Sequence, residues 1–558
     1  MRSRRREMIR TLLGSGALYS LGGSKGISGC GRSPESAGIA IKGNLIDPSF
    51  AWGHRLRDGS IAGQLFETCR ADQVEVAILG GGIAGLSAAW QLERKGLSDF
   101  RVLELEATPG GTSMSGSSAV TRYPWGAHYL PVPMEHNTPL IELLSEMDAL
   151  EHPPKRSSPS TRTHPQGREH LLVRQPDSRV YYRGRWYPGL YLHAGCSTQD
   201  IEDLRKFQLL LDDLLLKPTE DGKRSFALPS RLSSEDPKLR ALDRVSALDW
   251  LRSHQLHSTR LHWLVNYACR DDYGLSLDET SAWAALYYWI ARMKGPGEET
   301  MELLTWPEGN GAFVDHFCGS IGKRLDLQKL AVRVAETSEG TVRIDYLDAK
   351  DGTPHRLIAK RAIVALPRFV AKRLGCNLPE DAAEGFSYGT WMVANVHLQD
   401  RPREKSGIPF SWDNVFYESP SLGYVSATHQ RGRDYGPTVW TYYLPITGRH
   451  PADARKSLFE ADWAELAEVV LTDLRPAHRD LDRLVETIDI RRYGHAMIQP
   501  RTGFIDSTAR RNAAAPRGPV HFAHSDLSGL ALFEEAFDHG IRTANEVLES
   551  LALPAHES

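Results

Sequence analysis

Cysteine is scarce in this chain: six in 558 residues, none in a Cys-x-x-C pair and none at Cys/His ligand spacing. That scatter predicts buried thiols and no structural metal. No Gly-x-Ser-x-Gly turn lies between a strand and a helix, so hydrolysis through a nucleophile elbow has no support. An excess of one charge is missing as well. With 67 basic and 70 acidic residues the net charge is −3, which favours neither nucleic acid nor an anionic membrane face as a partner. There is no internal repeat and no low-complexity tract. What remains is an ordinary globular composition, 41% hydrophobic and 25% charged. The length exceeds the roughly 250–300 residues at which single cores stop growing, so at least two domains are expected.

The first thirty residues stand apart. A basic stretch, Arg4 to Arg10, precedes a mildly apolar one, Thr11 to Gly23, too short to span a bilayer of about 30 Å. Arg5-Arg6 in this setting resembles a twin-arginine export signal, and Ile27-Ser28-Gly29-Cys30 resembles the lipobox of a bacterial lipoprotein. The expectation is a signal peptide over 1–30, export through the twin-arginine machinery to the periplasm, and Cys30 as the candidate lipid anchor. Residues 31–70, rich in Gly, Ser and Pro, read as a linker with one docked segment.

From Val74 the pattern becomes regular. Val74–Leu79 predicts a strand, Leu86–Lys95 a helix ending at Gly96, and Phe100–Leu105 a second strand. Helices are expected over Thr198–Leu216, Ala247–Asn266, Ser281–Met293 and Lys456–Leu474, and at the end over Phe533–Leu551. Strands are expected over Val332–Leu347, Leu357–Leu366, 386–398, 437–445 and 519–523. Alternating strands and helices place the chain in the α/β class.

Between the first strand and its helix lies Gly80-Gly81-Gly82-Ile83-Ala84-Gly85, a G-x-G-x-x-G. Gly80 permits the tight turn, Gly82 lets a diphosphate approach the backbone, and Gly85 lets helix and strand pack closely. The helix start offers free N–H groups and a positive dipole end through Ile83 and Ala84. Glu104, closing the second strand, is placed to take ribose hydroxyls, with Glu106 on the same face as the alternative.

Further motifs in order along the chain resemble the flavin-containing amine oxidase superfamily, which includes protoporphyrinogen oxidase and the carotenoid desaturases. They are Gly110-Gly111, Trp125-Gly126-Ala127-His128, Trp306-Pro307-Glu308-Gly309-Asn310-Gly311, Ala362 to Pro367, and Val520 to Asp526 followed by Phe533-Glu534-Glu535-Ala536. The resemblance implies FAD in a Rossmann-type domain with an inserted α+β substrate domain, and the absence of Cys from the matched flavin motifs favours non-covalent binding without deciding it. On it, FAD binding falls to 71–135, 305–375 and 485–558, and substrate binding to 136–304 and 376–484. It also implies FAD contacts at Gly126, at Val332 through its main chain to adenine, and at Ser525, Asp526 and Glu534. There are departures. Thr112 stands where the family has an arginine reaching a phosphate, Ser525 where an acid is usual, and Glu535 where a small residue is usual.

A flavin carries out redox chemistry itself, so a catalytic side chain is not obligatory. The amine oxidases hold a water against the flavin with a lysine, and matching Phe386 to Val393 to that strand puts Val393 at the lysine position. His128, His495 and Trp391 are the candidate catalytic residues, the histidines as general bases, while His524 lies within the last flavin motif. Tyr287, Tyr288, Trp289, Trp391, Trp440, Tyr442 and Tyr443 read as core before an aromatic cage, and Arg491-Arg492 as a solvated turn. The expected function is hydride removal from a C–N or C–C bond of a small or apolar substrate. The alternatives are a desaturase or dehydrogenase with an acceptor other than oxygen, and a non-catalytic flavin protein. The substrate and the electron acceptor are left open by the sequence.

Overall fold

The computed structural model describes residues 41–61, 66–151, 164–297, 301–376, 378–379, 382–403 and 408–552. The expected signal peptide and Cys30 lie outside the described residues.

The strand Ala71–Leu79 ends in four consecutive buried side chains, Val76 to Leu79. Such a run belongs to a central strand covered on both faces, where alternation gives way to continuous hydrophobicity. It pairs in parallel with Phe100–Leu103 on one side and with Pro354–Val364 on the other. Leu325–Asp326 extends the sheet beyond Phe100–Leu103. The far edge of Pro354–Val364 is shared. Its first half carries an antiparallel meander through Val342–Asp348 and Lys329–Glu336, and its last residues pair in parallel with Val520–Phe522. One face is covered by the helices Ile83–Arg94, Gly311–Ile321 and Phe533–Ala552, whose Trp90, Phe317 and Phe537 meet in one aromatic cluster. The first and last of these helices approach so closely that a Cβ on Gly540 would lie 2.0 Å from Ser87 Oγ.

The second sheet runs Val485–Ile498, Tyr388–Leu398, Thr438–Ile446, Gly423–Ser426, Asp413–Phe416, Ser178–Tyr182, Arg185–Pro188. Its faces divide by the two-residue period of a strand. Met392, Ala394, Val396 and Leu398 pack outward against the helices Pro451–Glu460 and Trp463–Leu474, and Trp391 and Val393 point inward. A helical layer of Thr198–Leu216, Ala247–Ser253, Thr259–Tyr273 and Ala282–Ile290 closes the remaining side around its own core.

Three expectations change, and the docked segment expected in the linker is present. Val485–Ile498, assigned by sequence to the third FAD-binding segment, pairs along its length with Tyr388–Leu398 and belongs to the second sheet. The helix expected over Ala247–Asn266 is two helices, broken at Gln255 with φ +56° and restarted by the Ser258 side chain, which caps Leu261 N–H. The helix expected over Lys456–Leu474 is likewise two, because Asp462 and Glu465 form a reciprocal capping box. The linker is tied down: Lys42 and Leu45 bridge to Thr487 and Ile490, Asp47 pairs with Arg492, and Phe50–Arg57 is helical. Residues 41–57 thus strap the second sheet to the first.

Candidate active site

A cavity of about 700 Å³ runs from the glycine turn of the first sheet to the inner face of the second. That size lies within the range of small-molecule sites. Gly80, Gly82, Ile83, Ala84, Glu104, Gly110, Gly111, Thr112 and Gly126 line one end.

The glycines are there for shape. Gly80 has φ +106°, and a Cβ on it would meet Ala365 O at 2.5 Å. A Cβ on Gly85 would lie 1.9 Å from Gly80 O, so Gly85 holds the helix against the turn from behind rather than lining the cavity. In front of Gly82, the cap of helix Ile83–Arg94, a Cβ would meet nothing within 4 Å. Open space therefore faces a helix end whose first N–H groups have no intrahelical partner, the arrangement suited to phosphate oxygens. Gly110 N–H donates to Gly81 O at 2.7 Å, locking the second glycine pair beside the first. Gly126 abuts the Thr112 carbonyl, which a Cβ would approach to 2.3 Å. Thr112 itself is exposed.

Glu104 accepts from Gly81 N–H at 2.6 Å and from Glu106 N–H at 2.7 Å. Burial raises its pKa despite those two donors. Glu106 accepts from the Ser49 amide at 2.7 Å and its hydroxyl at 3.0 Å, and both glutamates line the cavity. Val332 does not line the cavity. It sits where Lys329–Glu336 slips register with its neighbour, and its side chain packs into a small cluster with Trp52 and Leu105.

Ser525, Asp526 and Glu534 also line the cavity, Glu534 toward Arg292 and Asp272. Asp526 is tied into the protein: it accepts from Tyr388 O–H and from Arg368 N–H, at 2.8 Å for the latter, and pairs with His524 at 3.0 Å. Burial pushes its pKa up, but these partners outweigh it and hold the carboxyl below its usual range. Glu534, in the first turn of the last helix, keeps Oε1 buried without a partner, and burial raises its pKa to about 7 against the pull of Arg292.

The far end is acidic and aromatic. Asp271 and Asp272 end the helix Thr259–Tyr273, and Asp413 starts a strand of the second sheet. Asp272 is neutralised by Arg292 at 2.8 Å. Asp413 accepts from Tyr267 O–H at 3.2 Å and from the Asn414 backbone, and burial outweighs both to raise its pKa to about 7. Asp271 rises well above the usual carboxylate range, through burial and then through Asp272 and Asp413. Tyr129, Tyr267, Tyr288 and Trp412 surround them.

Of the histidines, His128 lies in an aromatic box, 5.0 Å from the Tyr443 ring and 5.2 Å from Trp412. Burial lowers its pKa to about 4, so it is neutral at pH 7. His495 stacks on Phe369 at 4.4 Å. Trp391 lines the cavity with its Nε1 unpartnered, beside Val393, which is buried among apolar side chains. Tyr288, Trp289 and Tyr443 also face the cavity, whereas Tyr287, Trp440 and Tyr442 are core.

The structure adds Asp271, Asp413 and Arg491, none of which was singled out as a site residue. The two acids lie 142 residues apart (413 − 271), and no local pattern joins them. Arg491 and Arg492, expected on a solvated turn, are both buried on a strand.

Comparison with curated protein sequences finds no match. Among solved structures, putrescine oxidase bound to putrescine has a TM-score of 0.63 at 18% identity, covering 86% of this chain and 100% of that one. Cyclohexylamine oxidase from Brevibacterium oxydans IH-35A has a TM-score of 0.61 at 17% identity, covering 86% and 100%. A CLA-producing fatty acid isomerase from P. acnes has a TM-score of 0.55 at 16% identity, covering 85% and 98%. These likenesses show the shared fold. The model of the flavin containing amine oxidoreductase family matches residues 83–548, and with most of its length so covered this chain belongs to that family as an FAD-dependent oxidoreductase.

Proposed function

We propose that the protein oxidises an amine, binding it as a cation at the Asp271–Asp413 end of the cavity. The observation that carries this reading is the acid pair itself: two carboxyls facing a cavity, neither matched to a base, within a ring of tyrosines. Unpaired buried carboxylates are unfavourable, so they hold protons or attract a cation. An ammonium group relieves that penalty, and the aromatic faces add to it. With a pKa of about 7, Asp413 can take a proton from the bound ammonium near neutral pH. FAD, when bound, accepts the hydride from the carbon next to nitrogen. The chain supplies orientation, an acceptor for the proton, and a cavity wall of Trp391, Val393 and Tyr443 that excludes water.

A second reading concerns the electron acceptor. Val393 stands at the position matched to the amine oxidase lysine, and its buried apolar setting offers nothing to hold a water. This favours an acceptor other than oxygen. Export by the twin-arginine route to the periplasm, with or without a lipid at Cys30, remains a proposal that rests on the N-terminal sequence.

Anaerobic mixing with a panel of primary and secondary amines should bleach the flavin absorbance, and a neutral isostere of the best amine should not. Bleaching by neutral alkenes or fatty acids but by no amine defeats the reading. Air admitted after bleaching should return the colour slowly, with little peroxide, if the second reading holds.

A further inference from the structure

The flavin diphosphate brings negative charge to an end of the cavity where Thr112 carries none, and a counter-charge stands on the opposite wall. Two arginines and no lysine line the cavity among the described residues. Arg292 is spent on Asp272. Arg491 is 5% exposed, yet no carboxylate pairs with it among the described residues, and its Nε is buried without a hydrogen-bond partner. Its neighbours are neutral: a long bond from Nη1 to Ile46 O at 3.4 Å and the hydroxyl of Tyr493, whose ring centre lies 5.2 Å from the guanidinium. The neighbouring Arg492 shows the contrast, since Asp47 engages it through both carboxylate oxygens.

Position separates Arg491 from the acidic end. The strap that accepts its Nη1 bond continues from Ile46 to Ser49, which holds Glu106, two residues from Glu104. On the other side, Tyr493 donates to Trp125 O at 2.8 Å, next to Gly126, which abuts Thr112. The contacts of Arg491 thus lead through the strap toward Glu104 and through Tyr493 toward Gly126 and Thr112, and all of these line the same cavity. Arg491 and Val393 are directly opposite across the sheet, so both face inward.

We propose that Arg491 is the cationic contact for the FAD diphosphate, supplied from the second sheet across the cavity in place of a charge at position 112. A buried guanidinium with no carboxylate beside it is unfavourable, and charge-assisted bonds to phosphate oxygens are the strong kind. The contact joins the strap, the glycine turn and the second sheet through one ligand.

ADP carries the diphosphate without the flavin ring and adenosine carries neither, so the two nucleotides isolate the contact. Calorimetric titration of flavin-stripped protein should show Arg491→Gln weakening ADP by about 10- to 100-fold while adenosine binds as before. Arg491→Lys should retain more ADP affinity than Arg491→Gln, and raised salt should weaken ADP in the wild type more than in Arg491→Gln. The stripped Arg491→Gln protein should melt no lower than stripped wild type, since an unpaired buried charge has been removed. Unchanged ADP affinity in Arg491→Gln, equal losses for ADP and adenosine, or a lysine variant as weak as the glutamine one would each overturn the assignment. If Arg491→Gln does not fold, ADP binding to wild type that is indifferent to salt overturns it.

Discussion

The two ends of the cavity are built from opposite materials. At the phosphate end the work falls to main chain: Gly80, Gly82 and Gly110 clear space, and a helix start presents N–H groups to it. At the far end the work falls to side chains, with Asp271, Asp413, Glu534 and a set of aromatic rings enclosing the space. Main-chain sites depend on conformation and are hard to see as charge. Side-chain sites depend on residues converging from distant segments and are hard to see as sequence. The contrast is also electrostatic, since a helix end and Arg491 favour an anion at one end and unpaired acids favour a cation at the other.

The largest effect should come from breaking the main-chain end. Gly82→Glu places a carboxylate in the open space before the helix start, where it repels the diphosphate, and the purified variant should lack flavin absorbance altogether. Full retention of the yellow colour there would refute the placement. Next in size, the double variant Asp271→Asn with Asp413→Asn should raise KM for the best amine about 100-fold or more, from the loss of charged partners, while the flavin spectrum stays as in the parent. An unchanged KM would mean the acids do not touch substrate.

A smaller effect is thermal. The folded Asp413 and Glu534 carboxyls hold protons up to about pH 7, whereas in an unfolded chain they release them near pH 4. Their contribution to stability is therefore complete below about pH 4 and is lost as the pH rises through 7. Relative to the parent, Asp413→Asn should gain melting temperature by a few degrees between pH 5 and pH 8 in the absence of amine. A gap that narrows with rising pH reverses the sign and removes the argument. The smallest effect belongs to Thr112→Val: its side chain is exposed and uncharged, so FAD affinity should change by less than about threefold, well under the value of one charge-assisted bond.

The glycine turn, its strand and its helix were legible because their chemistry is a constraint on backbone shape, which glycine spacing records directly. The second strand was read two residues too long. It ends at Leu103, and Glu104 turns back to Gly81 N–H. The break at Asp462 was legible in principle from its Asp-x-x-Glu capping box, a local signal masked by the apolar period on either side. Val485–Ile498 was grouped with the last flavin motif because it precedes that motif in the sequence, and yet it pairs into the other sheet. Val332 sits at a register slip, where its main chain is left out of the pairing with the neighbouring strand.

By itself the amino-acid sequence determined the dinucleotide turn, the strands and helices around it, and the family to which these belong, because each depends on neighbours a few residues away. Only the tertiary structure decided which acids face the cavity without a base beside them, which histidines burial keeps neutral and which arginines line the cavity. Those are properties of burial and of partners brought together from hundreds of residues apart, and the dielectric surroundings that set them do not exist until the two sheets have closed over the cavity.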